Sequence, residues 1–268
     1  MAFRQNRRGA LVYLTSDVLA VPHAFSTRLG GVSPAPWDTL NLRSDRGDGH
    51  EALLENYRRF LALLGADIER AVLSHQVHKD TVRIVTEKDA GTGLIRSRNG
   101  ACDALITNVP ALPLVVFSAD CGTVLLHDPV RGAVGAVHAG WRGCALGIAE
   151  KTVREMTRLY GTDPADLRAA LGPCIGPCCF ETDGDVPEAM TAALGADASA
   201  YWTVRGAKYH VDLSGLNRLW LLRAGVRAEH TEASGLCTRC RGDLFWSHRR
   251  DGDLRGVQGA AVMLKENE

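Results

Sequence analysis

The chain has 268 residues, of which 46% are hydrophobic and 23% are charged, as in an ordinary globular protein. Its 31 basic residues balance 31 acidic ones, and a formal net charge of zero argues against a general nucleic-acid or membrane-surface binder. No apolar stretch reaches transmembrane length, and the run after the N-terminal arginines is too short for a signal-peptide core. We therefore expect a cytoplasmic protein whose eight cysteines are reduced thiols or metal ligands rather than disulfides.

Hydrophobic patterning predicts strands and helices along the whole chain. The predicted helices span 51–65, 144–160, 185–194 and 215–224. The predicted strands span 9–15, 23–27, 71–77, 81–86, 103–107, 112–119, 123–127, 132–137, 167–171, 208–213, 227–232, 244–248 and 256–264. These strands are too numerous for one helix-flanked parallel sheet, so we expect antiparallel pairs and allow for two stacked sheets. The simplest account is a single α/β domain, residues 1–268, with layered mixed β-sheets flanked by helices.

Segment 26–41 is predicted to be a loop, because Gly30 and Gly31 permit positive φ and two prolines prevent a helix. Its polar residues Arg28 and Asn41 are candidates for contact with a ligand. When this segment is considered alone, an ordinary surface loop is the favoured interpretation.

Two apolar runs of strand length end beside residues that can bind a metal. Run 114–119 is followed by Cys121, and run 133–137 is followed by His138. Such runs suit strands that are buried on both faces, and open α/β sheets keep their ligands just beyond the carboxyl ends of strands. A helical pattern begins after His138, so free backbone N–H groups and Arg142 are candidates for binding an anion.

A third metal ligand must come from elsewhere, since catalytic zinc typically takes three protein ligands and leaves a fourth position open. The segment SHQVHK offers His75 and His78 immediately before a predicted strand. One thiolate and two imidazoles suit zinc, and copper also binds such a set tightly. The spacing alone leaves the choice between the two histidines open.

The remaining cysteine patterns are weaker signals. Cys237 and Cys240 form a Cys-x-x-Cys among residues typical of a loop, which is not the strand-to-helix context of a redox motif. Cys174, Cys178 and Cys179 lack the regular spacing of a zinc finger. We interpret both groups as structural thiols.

Two other chemistries use the same residue types. Cys121 as a nucleophile with His138 as its base needs an Asp or Asn to orient the histidine, instead of a third metal ligand. A multicopper oxidase needs about four coppers and many His-x-His pairs. The nine histidines contain no such pair, so we reject a multicopper oxidase.

Seven motifs resemble those of the YfiH (DUF152) proteins, once called laccase-domain or polyphenol oxidase proteins and now purine nucleoside phosphorylases. The motifs are FSTRLGGVS at 25–33, LNL at 40–42, QVH at 76–78, ADC at 119–121, VHAGWRG at 137–143, GPCIGPCCFE at 172–181 and FWSHRRDG at 245–252. The resemblance covers nearly the whole chain, and so many ordered motifs argue against a chance match.

The resemblance implies a YfiH-like fold and a zinc ion held by the His of QVH, the Cys of ADC and the His of VHAGWRG. In this sequence those ligands are His78, Cys121 and His138. The implied activity is phosphorolysis of adenosine, inosine, guanosine and S-methyl-5′-thioadenosine, with adenosine deamination as a second reaction. Purine nucleosides and phosphate are then the partners of a monomer or homodimer. The alternative functions are a Cys/His-dependent hydrolase and a metal-binding redox protein of the polyphenol oxidase kind.

Three departures from the family pattern leave these ligands in place. Lys79 stands where QVH is usually followed by Gly, and Gly122-Thr123 replaces the usual residue and Pro after the cysteine. Segment 255–261 reads RGVQGAA where the family more often has GRMA. The last two changes are expected to alter the shape of the pocket.

The implied chemistry assigns candidate roles to neighbouring residues. Arg142 is a candidate for binding phosphate, and Arg28, Arg249 and Arg250 are weaker candidates of the same kind. Asp120, next to the thiolate, is a candidate for orienting a ligand or moving a proton. An aspartate at a strand end is equally often a turn or cap residue.

Overall fold

The computed structural model describes residues 3–43, 47–98 and 100–266. The strands are β1 Phe3–Arg8, β2 Leu11–Ser16, β3 His23–Ser26, β4 Val72–Leu73, β5 Val82–Ile84, β6 Ala104–Thr107, β7 Leu114–Ser118, β8 Gly122–Asp128, β9 Ala133–Ala139, β10 Arg168–Leu171, β11 Glu181–Thr182, β12 Trp202–Arg205, β13 Lys208–Val211, β14 Thr231–Ala233 and β15 Gln258–Val262. The α-helices are α1 His50–Leu61, α2 Trp141–Ala145, α3 Ile148–Tyr160, α4 Asp185–Leu194, α5 Leu213–Arg223 and α6 His248–Asp251. Short 3-10 helices span Ala62–Leu64, Ile68–Arg70, Glu87–Asp89, Gly195–Tyr201 and Ala228–His230.

The strands form two six-stranded sheets and one small three-stranded sheet. The first sheet has the order β1-β2-β3-β15-β7-β4, and the second has the order β14-β10-β8-β9-β6-β5. Both are mixed, because β4 pairs parallel with β7, and β14 with β10, while the central pairs are antiparallel. The third sheet has the order β11-β13-β12.

The two large sheets pack face to face, and their central strands are buried on both sides. Along β7, Leu114 and Val116 belong to the core between the sheets, whereas Val115 and Phe117 belong to the core beneath α1. Along β9, alternate residues contribute to the core between the sheets and to the core beneath α3 and α5. This two-residue alternation explains why these strands appear in the sequence as continuous apolar runs.

Helices cover the outer faces of the two sheets. Leu53, Tyr57 and Phe60 of α1 pack against the first sheet, and Val153 and Met156 of α3 pack against the second. The order of layers is therefore helix, sheet, sheet, helix. This arrangement confirms the predicted α/β fold with layered mixed sheets flanked by helices.

Several predicted boundaries are wrong for identifiable reasons. The predicted helix 144–160 is interrupted at Gly147, whose φ of 74° separates α2 from α3. The predicted strand 244–248 is not formed, because Leu244 and Phe245 hydrogen-bond to the Arg241 carbonyl and His248 begins α6. The predicted strand 227–232 begins with a 3-10 helix, and only Thr231–Ala233 pairs in a sheet.

Three strands, β1, β11 and β12, are absent from the sequence-based assignment. Strand β1 reads FRQNRR and none of its residues is fully buried, so no apolar pattern marks it. It exists because all six residues pair in antiparallel register with β2. Within the described ranges, no helix combines the length and the apolar character needed to cross a membrane.

Candidate metal centre

Cys121 is the residue at which the chain passes from the first sheet to the second. It follows β7 by a short turn and directly precedes β8, whose first residue pairs with the last residue of β9. His138 lies in β9, one residue before the end of that strand. The pairing of β8 with β9 therefore brings the predicted cysteine and histidine to the same end of these two central strands.

His78 completes a group of three possible metal ligands. One donor atom from each of His78, Cys121 and His138 lies within 4.8 Å of the other two. The Cys121 Sγ atom is 3.9 Å from His78 Nε2, and the two imidazole rings meet edge to face with centroids 4.9 Å apart. His75 is exposed and lies outside this group, so the geometry favours His78 over His75.

Asp103, which the sequence analysis did not single out, organises both imidazoles. Its carboxylate is fully buried and hydrogen-bonds to His138 Nδ1 at 2.8 Å, which leaves Nε2 directed away from Asp103. The same carboxylate accepts the backbone N–H groups of Val77, His78 and Lys79 at 3.2, 3.0 and 3.0 Å. These bonds hold the loop of residues 77–79, the His78 loop, in which His78 itself has a φ of 59°. The available sequence signal was an aspartate directly before the apolar residues 104–106, which the structure places opposite His138 on β9.

The charges of these groups depend on one another. Burial acts to raise the pKa of the Cys121 thiol, but the His138 and His78 imidazoles outweigh burial and lower the pKa to about 6. Burial acts to lower the pKa of His138, whereas the Cys121 thiolate and the Asp103 carboxylate raise it to about 9. Burial likewise opposes ionisation of Asp103, yet hydrogen bonds from His138 and the His78 loop lower its pKa. Without a metal, the centre at neutral pH is therefore a thiolate beside an imidazolium.

We expect the affinity for a divalent metal to rise about tenfold per pH unit between about pH 6 and pH 9. In this range the Cys121 thiolate is already formed, but His138 still carries the proton that a metal ion must displace. Below about pH 6 the thiol must also lose a proton, so the dependence becomes steeper. A competition titration with a chromophoric chelator at several pH values measures this slope. An affinity that does not change with pH would contradict the assigned protonation states.

Asp120 anchors the turn between β7 and β8. Its carboxylate accepts hydrogen bonds from Thr238 Oγ1 at 2.6 Å, from Ser247 Oγ at 3.1 Å and from the Arg249 backbone N–H at 2.7 Å. Its φ of 88° is unusual for a residue with a side chain, and these three bonds hold that conformation. These contacts support a role in positioning Cys121, because the carboxylate is already engaged by three donors.

Gly140 lies against the side chains of Cys121 and His78. A Cβ atom at this position would lie 2.9 Å from Cys121 Sγ and 3.4 Å from His78 Cδ2. The glycine of the VHAGWRG motif is therefore explained by close approach to the ligand atoms.

The three ligands open into a cavity of about 370 Å³. Its wall also contains three arginines from distant segments, Arg43, Arg98 and Arg255, together with Gln76 and His248. The sequence analysis assigned none of these five side chains a role, although Gln76 and His248 lie in family motifs and Arg255 lies in the segment expected to alter the pocket. A second cavity of about 200 Å³ adjoins Cys121 and is lined in part by Asp120, Trp141, Phe180 and Arg249.

The other predicted substrate residues lie outside the wall of the larger cavity. Arg28 stacks on the Trp246 ring at 3.9 Å and donates to the carbonyl oxygens of Asp38 and Gly242. Asn41 is fully buried and bonds to Arg43, Asp48 and Val257, so its predicted contact with a ligand finds no support in this geometry.

Arg142, the predicted anion-binding residue, lines neither of the two cavities. Arg142 is exposed and stacks on the neighbouring Trp141 ring at 4.3 Å, and the helix that follows His138 is only five residues long. Arg249 lies at the second cavity, where it donates to the Glu181 carbonyl at 2.9 Å. Arg250 turns away from both cavities and bonds to Asp251 and to the carbonyls of Thr238, Arg239 and Phe245.

Comparison with known proteins identifies the relatives of this chain. A family model described as "Multi-copper polyphenol oxidoreductase laccase" matches residues 22–265. Purine nucleoside phosphorylase YlmD of Bacillus subtilis (strain 168) is 34% identical over 245 residues, which cover 90% of this chain and 88% of that protein. The purine nucleoside phosphorylase of Deinococcus radiodurans is 38% identical over 259 residues, covering 96% and 95%. The crystal structure of the hypothetical protein YfiH from Bacillus licheniformis matches with a TM-score of 0.92 at 35% identity, covering 98% of this chain and 99% of that one. These matches confirm the resemblance found in the motifs, and the chain belongs to the laccase-like YfiH (DUF152) family.

Proposed function

We propose that this protein is a zinc-dependent purine nucleoside phosphorylase. Its substrates would be adenosine, inosine, guanosine or S-methyl-5′-thioadenosine, each cleaved with phosphate to the free base and the pentose 1-phosphate. The observation that carries the proposal is the convergence of His78, Cys121 and His138 on the wall of an arginine-lined cavity. The names of the relatives support the choice of substrate class.

The three ligands fit a catalytic zinc ion. One thiolate and two imidazoles are a known kind of three-ligand set, and a tetrahedral ion holds sulfur and nitrogen donors about 3.6 Å apart. The measured separation of 3.9 Å between Cys121 Sγ and His78 Nε2 is close to that value. The hydrogen bond that His138 Nδ1–H donates to the Asp103 carboxylate is the usual second contact of a zinc-bound histidine. The same donors would also bind copper.

Phosphorolysis requires two opposite charges to be stabilised in the transition state. The bond from ribose C1′ to the purine breaks while positive charge builds on the sugar and negative charge on the leaving base. Zinc, when bound, would supply a Lewis-acid charge in the cavity. The protein must also hold the phosphate oxygen close to C1′, since positioning contributes much of the rate.

We assign phosphate binding to the arginines of the larger cavity. Arg43, Arg98 and Arg255 line the same cavity as the cluster, and guanidinium groups match the geometry of a phosphate. The volume of about 370 Å³ lies within the usual range for small-molecule sites. Asp120 and Arg249 line the smaller cavity and Arg142 lines neither of the two, so we assign none of them a contact with phosphate.

A product assay tests the proposal. Purified protein with adenosine and phosphate is expected to release adenine and ribose 1-phosphate, and omission of phosphate should abolish adenine release. The same chromatogram detects inosine, the product of the second, deaminating reaction that we include in the proposal. A metal-loaded protein that turns over none of the four nucleosides would overturn the function.

A cysteine hydrolase is the second candidate, and one observation favours it. Asp103 orients His138, and His138 neighbours a Cys121 thiol whose pKa is about 6, which is the order of groups in a nucleophilic triad. Activity of a hydrolase would survive a chelator and be lost with a thiol alkylator. Activity that is lost with the chelator and restored by zinc would exclude the hydrolase.

A further inference from the structure

Four cysteine thiols from two separate loops meet outside the group of His78, Cys121 and His138, which we call the His78 centre. Cys178 and Cys179 lie in the turn after β10, and Cys237 and Cys240 lie in the turn after β14. The four Sγ atoms all lie within 4.8 Å of one another. Each cysteine group was weak on its own in the sequence, and the structure joins them into one cluster of four.

The pairing of two parallel strands explains why these loops meet. Leu171 at the end of β10 lies opposite Ala233 at the end of β14, so the two segments that follow these strands leave the sheet side by side. The alignment continues beyond the strands, because Cys174 forms an isolated bridge with Cys237 and its carbonyl accepts the Thr238 N–H at 3.0 Å. The backbone of the two loops is therefore fixed independently of the thiols.

The sulfur separations fit one ion and do not fit a disulfide. Cys240 Sγ lies 3.5 Å from Cys178 Sγ and 3.4 Å from Cys179 Sγ. A disulfide requires about 2.05 Å. A tetrahedral zinc ion with Zn–S bonds of about 2.3 Å places its sulfur atoms about 3.8 Å apart. Small movements of these side chains would create that geometry.

Donors of the surrounding loops already point at two of the sulfur atoms. The Gly176 N–H donates to Cys237 Sγ at 3.3 Å, and Arg239 Nη1 donates to Cys179 Sγ at 3.4 Å. Such donors stabilise the anionic thiolate that binds a metal, and they are the second contacts that metal sites commonly have. A Cβ atom at Gly176 would lie 3.3 Å from Cys237 Cβ and 3.4 Å from Cys178 Sγ, so a small residue suits this position.

We propose that Cys178, Cys179, Cys237 and Cys240 bind one zinc ion in a closed site of four thiolates. Four protein ligands complete the coordination of zinc and leave no open position, so this site is structural rather than catalytic. The bound ion would join the two loops that border the Asp120 turn, since Thr238 donates to Asp120 and Phe180 lines the smaller cavity. The proposal does not depend on the activity proposed above.

Zinc content measured in matched variants tests the site. The Cys178→Ser/Cys240→Ser chain is expected to contain one zinc ion fewer per chain than its parent and to melt at a lower temperature. Cys174→Ala removes a thiol of the same loop that lies outside the cluster, and it should keep the full metal content. The measured quantity is the difference in zinc content between variant and parent. The test is therefore valid whether or not the His78 centre carries zinc. A folded double variant with the parent's zinc content overturns the proposal.

Cobalt replacement provides a test that does not require the double variant to fold. In the Cys121→Ala chain, which lacks the thiolate of the other centre, Co²⁺ should still produce an intense thiolate-to-metal band in the near ultraviolet. Iodoacetamide should react with the exposed Cys178 and Cys240 only after the metal has been removed. A chain that gives no such band overturns the proposal. Equal alkylation of Cys178 and Cys240 with and without metal, or a disulfide between cluster cysteines in the purified protein, also overturns it.

Discussion

The Cys121→Ala variant should lose the metal of the His78 centre, and its kcat/KM for phosphorolysis should fall by about a thousandfold. Cys121 supplies the thiolate of this centre, and the two imidazoles left behind bind zinc weakly. A catalytic metal contributes several kcal/mol of transition-state stabilisation, and about 4 kcal/mol corresponds to a thousandfold change in rate. Metal analysis together with steady-state kinetics measures both effects.

The matched control for this experiment is Cys144→Ala. Cys144 is also buried and carries a thiol, but it packs in the apolar core beneath α3 and α5 and lies outside the ligand group. This control should keep its metal and its kcat/KM. If Cys121→Ala retained the full metal content and activity, the centre would have no part in the reaction.

The Asp103→Asn variant should bind the metal about 10- to 100-fold more weakly while keeping the fold. An amide presents one acceptor and one donor, whereas the carboxylate accepts from His138 Nδ1 and from three backbone N–H groups. The NH₂ group of Asn would face donors that it cannot bind, so the orientation of His138 and the His78 loop would be lost. A chelator competition measures the metal affinity, and thermal unfolding measures the loss of stability.

Asp128→Asn controls for the general cost of this substitution. Asp128 is also fully buried and accepts the backbone N–H groups of Val130 and Arg131, both at 2.9 Å, but it lies at the far end of β8. Both N–H groups donate to Oδ1, which an amide retains, so this variant should keep the metal affinity of the wild type. Equal metal affinity in Asp103→Asn and the wild type would show that Asp103 only stabilises the fold.

Much of the fold follows from local sequence patterns. The runs that became β7, β8 and β9 are recognisable because buried strands need apolar side chains on both faces, and polar residues follow each run. Cys121 and His138 stand at those ends, so their position near a sheet edge was predictable. Strand β1 was not, because its pairing with β2 satisfies the backbone and requires no apolar side chains.

The amino-acid sequence by itself determined which segments become buried strands, and it placed one thiol and one imidazole at their ends. Only the tertiary structure decided which groups meet there. It selected His78 rather than His75, placed Asp103 between His138 and the backbone N–H groups around His78, and brought three arginines from distant segments to one cavity. It also joined two pairs of cysteines across the parallel edge of β10 and β14. The physical reason is that a local pattern records only which side chains avoid water, whereas contacts between distant residues depend on how the strands pair.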